Sequence, residues 1–257
     1  MLVDEINIVL WKEWRELFLH RGGRPRWSLW SGLTLVFAFG AALPVLAVMG
    51  VRSELRGAAA DLALQLVLVG MVVVALAAGV GLIVDAVAGE RERHTLETLL
   101  ATPLSDDALL AGKVLAIGLY AWVLGMLEGV VGMLTVLAAF GPARVDLPSA
   151  VGMTLIGLVS LLAALGLLLA GVLIGLRCNS VKQGQQLLMS LTFPIMLLLP
   201  VGTLFAQFGP LASLFDRLPD TGLEGTLLIV TGVLILIDLP LVAFARRAFR
   251  RDRIVAR

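Results

Sequence analysis

Long apolar runs, separated by short charged segments, dominate the pattern of this chain. An α-helix needs about 20 predominantly apolar residues to cross about 30 Å of hydrocarbon. Six stretches meet that requirement, and the predicted spans are approximately 27–50, 62–85, 110–139, 148–176, 185–206 and 225–245. The pattern therefore predicts an all-α integral membrane protein with a single transmembrane domain over residues 1–257.

The fifth apolar run is longer than one crossing requires and contains Pro194, Pro200 and Pro210. Irregular backbone at membrane depth is tolerated only where protein or water covers it. We therefore expect one span at 185–206, followed by a re-entrant or loop segment at 207–224 on the outer side.

The composition excludes a soluble fold. The chain has 257 residues, of which 59% are hydrophobic and 15% are charged, whereas soluble domains carry about 25% charged residues. The net charge of +1 gives no reason to expect a nucleic-acid partner. Cys178 is the single cysteine, so we expect neither an internal disulfide nor a cysteine-based metal site.

The 20 basic residues are distributed unevenly. Most of them lie in the N-terminal segment, in the second and fourth loops and in the C-terminal tail. The remaining ones are Arg52, Arg56, Arg144 and Arg217. Because Lys and Arg accumulate on the cytoplasmic side of a bilayer, we expect a multi-pass protein of the inner (cytoplasmic) cell membrane with both termini in the cytoplasm.

Residues 1–24 form an amphipathic element ahead of the first span. At helical spacing, one apolar stripe contains Val3, Ile6, Leu10, Trp14 and Leu17, and the opposite face contains Glu5, Lys12 and Glu16. Such a helix is typical of an interfacial elbow that lies in the plane of the bilayer surface, in contact with lipid. The alternative is an ordinary soluble helical lead-in.

Residues 88–105 also have a helical, amphipathic pattern between the second and third spans. Leu96, Leu99 and Leu100 share one face, surrounded by charged residues. Pro103 ends the helix, because a residue before proline is disfavoured in the α region. Ser105 is expected to cap the next helix. The pattern is that of a docking surface, with a solvated helical hairpin as the alternative.

The stretch GERERHTLETLLATPLSDDALLAGKVLA resembles the cytoplasmic signature of ABC-2 type transporter permeases. That signature reads approximately E-x-E-x-G-T-L-E-x-L-L-x-T-P-L-S, followed a few residues later by G-K, which here is Gly112-Lys113. His94 stands where the family commonly has glycine. The resemblance extends to the N-terminal LWKEWRELF segment, the six predicted spans and the basic tail.

The resemblance implies a type V exporter-like transmembrane domain, the permease subunit of an ATP-driven exporter. Segment 88–105 would be the coupling helix, which seats in a separate ABC ATPase subunit. The implied contacts are Glu90, Arg91, Glu92, Arg93, Thr95, Leu96, Glu97, Leu99, Leu100 and Pro103. Two permease copies, expected as a homodimer, would assemble with two ATPase subunits.

This chain itself lacks a phosphate-binding loop, which requires G-x-x-x-x-G-K-[ST]. Before Gly112-Lys113, Asp107 stands where the first glycine belongs, and Val114 stands where Ser or Thr belongs. We therefore expect no enzyme activity and no cofactor on this chain, with ATP and Mg²⁺ bound by the partner. An intramembrane hydrolase is disfavoured because His20 and His94 lie outside the spans.

Three acidic residues lie in or beside the predicted spans, where charge is costly and often functional. Glu128 could line a translocation path or form a structural polar pair, and Asp85 and Asp238 are expected to be structural. The loop at 177–186 could add a second contact to the ATPase. An ion-gradient-driven secondary transporter is the main alternative, and the sequence leaves the substrate open.

Overall fold

The computed structural model of this chain describes residues 2–18, 27–42, 44–46, 56–92, 104–178, 180–208 and 222–249. These residues are overwhelmingly helical and contain no strand. The main helices are α1 (Leu2–Phe18), α2 (Trp27–Phe37), α3 (Arg56–Val84), α4 (Asp106–Phe140), α5 (Ala150–Gly175), α6 (Val181–Phe208) and α7 (Gly222–Ala248).

Two helices contain or lead into π-helical turns. The turn Ala38–Ala42 continues α2, and the turn Asp85–Gly89 continues α3 into a last α-helical turn, Glu90–Glu92. A short 3₁₀ turn, Pro142–Arg144, follows α4. Turns of this kind are frequent at functional sites, and the one after α3 leads directly into the segment between α3 and α4.

Five helical stretches are long and apolar enough to cross a membrane. They are Ala59–Gly89, Asp106–Phe140, Ala150–Gly175, Val181–Gly202 and Gly222–Ala248. The first predicted span, 27–50, is represented by the shorter α2 and its π-helical turn, and residues 47–50 lie outside the described part. The count of six spans therefore stays a prediction. Most of the predicted re-entrant segment, 207–224, also lies outside the described residues.

Consecutive long helices run in opposite directions, and α3 lies at the centre of the bundle. It packs against α4, α5 and α6, and most of its membrane-length stretch is buried. In contrast, α6 and α7 leave most of their apolar side chains exposed. Large exposed apolar faces are expected of helices that contact lipid or another membrane subunit.

Glycines on the flanking helices allow close approach to α3. A Cβ atom added at Gly125 of α4 would lie 2.5 Å from the Met71 carbonyl oxygen. Gly129 and Gly132 continue the same contact surface. On the other side of α3, a Cβ atom added at Gly171 of α5 would lie 2.5 Å from the Ile83 side chain. Small residues permit such backbone approach between membrane helices. We call these two contact surfaces, with Gly125, Gly129 and Gly132 on α4 and Gly171 on α5, the glycine seams, and α3 lies between them.

The seam on α4 can be tested with Gly125→Ala. The new methyl group would meet the Met71 backbone, which cannot move away as a flexible side chain could, so we expect a stability loss of about 1–3 kcal/mol. Gly232→Ala is the matched control, because nothing lies within 4 Å of a Cβ atom there. Thermal unfolding of both variants in detergent is the measurement. Equal midpoints for the two variants would contradict the seam.

Candidate functional site

One end of the bundle gathers elements that are far apart in the sequence, and we call it the α1 end. There α3, α5 and α7 finish, and α4 and α6 begin. The carboxylate of Glu92 accepts a hydrogen bond from the backbone N–H of Val181 at 3.4 Å. Arg246 of α7 lies 3.4 Å from Asp107 in the first turn of α4. The segment between α3 and α4 therefore leaves and re-enters the bundle at this end.

The first helix packs along the beginning of α4, and the two helices run in the same direction. The Glu5 carboxylate accepts hydrogen bonds from the Ser105 hydroxyl at 2.6 Å and from the Ser105 backbone N–H at 3.1 Å. Two turns further on, the Trp14 indole N–H donates to the Ala116 carbonyl at 3.2 Å. The hydrogen bonds from Ser105 hold the pKa of Glu5 below its usual range.

Gly112 makes the contact between these helices possible. A Cβ atom added there would lie 2.5 Å from Val9, and Val9 is itself buried. The glycine of the Gly112-Lys113 pair thus provides the space into which α1 packs. Gly112 lies within the regular helix α4.

The face of α1 that packs against α4 contains both apolar and acidic residues. The most buried described residues of α1 are Val9 and Glu13, and together with Glu5 they form the face towards α4. Trp11 and Val3 are strongly exposed, and Val3 belongs to the apolar stripe that we expect to contact lipid. Polar partners on α4 bind the acidic residues of this face, and the interfacial position of the apolar stripe stays a prediction.

Lys113 is almost completely buried, with 2% of its side chain exposed. Its ammonium nitrogen lies 2.7 Å from a Glu13 carboxylate oxygen and 2.7 Å from a Glu90 carboxylate oxygen. The Lys12 nitrogen lies 3.6 Å from the same Glu13 oxygen and 3.5 Å from the same Glu90 oxygen. Each lysine therefore contacts both glutamates, and we call these four residues the charge ring.

The charge ring is electrostatically balanced. Removing a charged group from water costs several kcal/mol unless opposite charges and hydrogen bonds replace the lost hydration. Two carboxylates close to Lys113 supply that compensation, and the more exposed Lys12 balances the second negative charge. The ring joins α1, the last turn after α3, and the second turn of α4.

The structure describes only part of the predicted coupling segment. Glu90 contacts the buried Lys113, and Glu92 accepts an exposed hydrogen bond from α6. Ser105 caps α4 as predicted, since its hydroxyl accepts a hydrogen bond from the Ala108 N–H at 3.3 Å. The other predicted contacts lie outside the described residues, apart from the backbone of Arg91, whose side chain is not described. They are Arg93, Thr95, Leu96, Glu97, Leu99, Leu100 and Pro103.

The acidic residues within the spans lie outside the charge ring. Glu128 on α4 is fully buried against Gly70 of α3, and Asp238 on α7 is buried against Gly166 of α5. None of their carboxylate oxygens has a hydrogen-bond partner among the described residues. The polar pair considered for Glu128 is therefore not formed within this part of the chain. Asp85 opens the π-helical turn that leads to Glu90.

Sequence reasoning missed the role of Glu13 and Lys12 in the site and noted Lys113 only as part of a motif. The available signal was a lysine at the start of an apolar span, since a buried cation needs an acidic partner. Among the described residues, no group of three or more His, Cys, Asp or Glu could hold a metal ion. The buried ion pairs are suited to holding α1, the turn after α3 and α4 together.

Comparison with known proteins places this geometry in context. A family model described as ABC-2 family transporter protein matches residues 8–231. The match includes most of α1, the whole segment between α3 and α4, and the start of α7. No curated protein matches the chain.

The contact between α1 and Ser105 can be tested with Ser105→Ala. This change removes the hydroxyl that binds Glu5 and the N-cap of α4, a cap worth about 1 kcal/mol. We expect amide hydrogen exchange of residues 2–18 to rise several-fold, measured by mass spectrometry. Ser149→Ala is the control, because Ser149 caps α5 and binds Glu224 at the opposite end. If both variants affected α1 equally, the proposed contact would be refuted.

Proposed function

This chain belongs to the ABC-2 transporter family and is a multi-pass membrane permease of an ABC transporter, and we propose that it is the permease of an exporter driven by a separate ATPase subunit. In this proposal the α1 end faces the cytoplasm and the chain resides in the inner cell membrane. ATP and Mg²⁺ bind to the partner, and this chain provides the path for the substrate.

The attachment of segment 88–105 at both of its ends is the observation that carries the proposal. At its start, Glu90 contacts Lys113 and Glu92 contacts the first turn of α6. At its end, Ser105 is bonded to α1. A force on the middle of the segment would therefore act on α1, α4 and α6 together. A solvated hairpin would not need these attachments.

The middle of the segment is proposed to dock into the ATPase. Its leucines Leu96, Leu99 and Leu100 would fill an apolar groove, and charged residues such as Glu97 would orient the contact. Nucleotide binding and hydrolysis in the partner would then move the segment and, through its attachments, the spans. Because Glu90 and Glu92 contact other elements of this chain, we propose that these two residues transmit the movement and that the leucines dock.

A second copy of this chain is proposed to complete the transporter, so that two permeases assemble with two ATPase subunits. The broad exposed apolar faces of α6 and α7 support a position against lipid or another copy. Substrate selection would then occur between the spans, because the sequence predicts only short outer loops.

Glu128 is proposed to become part of the translocation path when α3 and α4 separate. In the packed arrangement its carboxylate occupies the space that Gly70 leaves free, without a hydrogen-bond partner among the described residues. A buried carboxylate without a partner is available for a polar group of a substrate. For Asp85 and Asp238 we propose structural roles at helix ends and helix contacts.

Docking can be tested by purifying the native complex through a tag on this chain. Mg²⁺-dependent ATP hydrolysis should copurify with the wild-type chain. The double variant Glu97→Lys with Leu99→Asp should lose at least about tenfold of that activity, as expected when an anchor residue of an interface is removed. The control places the same kinds of change in the connection between α4 and α5: Asp146→Lys with Leu147→Asp.

Two outcomes would overturn the proposed function. One is that the docking variant retains the copurifying ATPase while the control behaves identically. The other is that the reconstituted chain alone moves a solute against its gradient, which would favour an ion-gradient-driven transporter. Glu90 is left unchanged in this test because its substitution would disturb the charge ring directly.

The role of Glu128 can be tested with Glu128→Gln in the reconstituted complex. A panel of cationic, neutral and anionic amphiphiles first identifies a compound that stimulates ATP hydrolysis. We expect Glu128→Gln to weaken that stimulation about tenfold, the factor expected for a lost hydrogen bond to a charged group, with basal hydrolysis retained. Asp238→Asn is the control in a different helix contact. If the compound stimulated ATP hydrolysis of Glu128→Gln as strongly as that of the wild type, a role of Glu128 in the translocation path would be contradicted.

A further inference from the structure

We infer that Lys113 is a positioning residue that holds the start of the coupling segment to α1, so that the two move as one body with the beginning of α4. The inference rests on the proposed function, because the segment must be moved by an ATPase for this linkage to act. It assigns α1 a mechanical role in addition to contact with the membrane surface.

The geometry of the charge ring carries the first step. Lys113 binds Glu13 of α1 and Glu90 of the segment at the same distance, 2.7 Å. One ammonium group therefore joins two elements that are separated in the sequence by α2 and α3. Moving either glutamate away would leave Lys113 with one partner.

Burial makes this separation costly. Lys113 is 2% exposed, and the side chains of Glu13 and Glu90 are 8% and 12% exposed. Water cannot replace a lost partner readily at such a site, and breaking a buried ion pair is strongly unfavourable. The lower-energy response to a displacement of Glu90 is that Glu13 and Lys113 move with it.

The contacts on either side of the ring keep α1 aligned with α4. Glu5 binds Ser105 before the ring, and Trp14 binds the Ala116 carbonyl beyond it. Val9 packs against Gly112 between these points. The helix cannot slide along α4 without breaking these contacts, so a displacement that reaches α1 through the ring is passed on along the first three turns of α4.

Two variants distinguish a positioning role of Lys113 from a contribution to the stability of the fold alone. The neutral variant combines Glu13→Gln, Glu90→Gln and Lys113→Met, which removes the ring without leaving an unpaired buried charge. The inverted variant combines Lys12→Glu, Glu13→Lys, Glu90→Lys and Lys113→Glu, which restores an alternating ring with opposite signs. Both are made in the full chain, reconstituted in nanodiscs with the ATPase subunit that copurifies with it.

The reporter of nucleotide-dependent movement is a cysteine at the end of the bundle opposite the α1 end. Ala143→Cys lies in an exposed turn after α4, and Cys178→Ala removes the native thiol. The measurements are the affinity of the ATPase subunit for the chain and the change in maleimide labelling rate when ATP and vanadate trap the nucleotide. Amide exchange of residues 2–18 is measured on the chain alone.

We expect the neutral variant to bind the ATPase within about twofold of wild type, because the docking leucines are untouched. Its nucleotide-dependent labelling change should fall about tenfold or more, and α1 exchange should rise about tenfold, as for hydrogen bonds to charged groups. The inverted variant should restore both. These results together would support the positioning role.

A neutral variant that responds to nucleotide like wild type would overturn the inference while leaving the proposed function intact. Unchanged amide exchange of α1 in the neutral variant would also overturn the inference. So would an inverted variant that folds but restores neither the labelling change nor the slow exchange of α1. If the inverted variant does not fold, the neutral variant decides alone. A wild-type complex that shows no nucleotide response overturns the proposed function, and the inference falls with it.

Discussion

The burial of one ammonium group, that of Lys113, constrains the whole α1 end of the bundle. A lysine at this depth is compatible with folding only if acidic side chains reach it, and they come from α1 and from the turn after α3. This requirement determines how α1 faces α4 and in which direction the chain leaves α3. It also explains the glycine before the lysine, because a larger residue at Gly112 would displace Val9 and move α1 away from Lys113.

Glycine seams hold the body of the bundle, where charges cannot do so. Between helices that sit in lipid, apolar side chains gain little by contacting each other instead of lipid, so close backbone approach has to supply the attraction. Gly125 on α4 and Gly171 on α5 provide it on the two sides of α3. The α1 end of the bundle is thus held by ion pairs, and the middle of the bundle is held by close packing of the helices at glycines.

The spans were predictable because the membrane requirement applies to each segment separately. The predicted spans 110–139 and 148–176 correspond to Asp106–Phe140 and Ala150–Gly175. The inward face of α1 was not predictable in this way. Its partners lie about 100 residues further along the chain, and helical periodicity alone does not show which other helix packs against α1. The family signature contains Lys113, but a motif does not reveal which side chains meet it.

The two kinds of buried acid in this chain reflect different demands on the structure. Glu13 and Glu90 are paired, and pairing suits a region that would have to stay together under the proposed pull of an ATPase subunit. Glu128 and Asp238 face glycines and have no hydrogen-bond partner among the described residues. Helices held by such contacts lose no ion pair when they separate. In an alternating transporter, the strong contacts would then lie where force enters and the weak ones where the path opens.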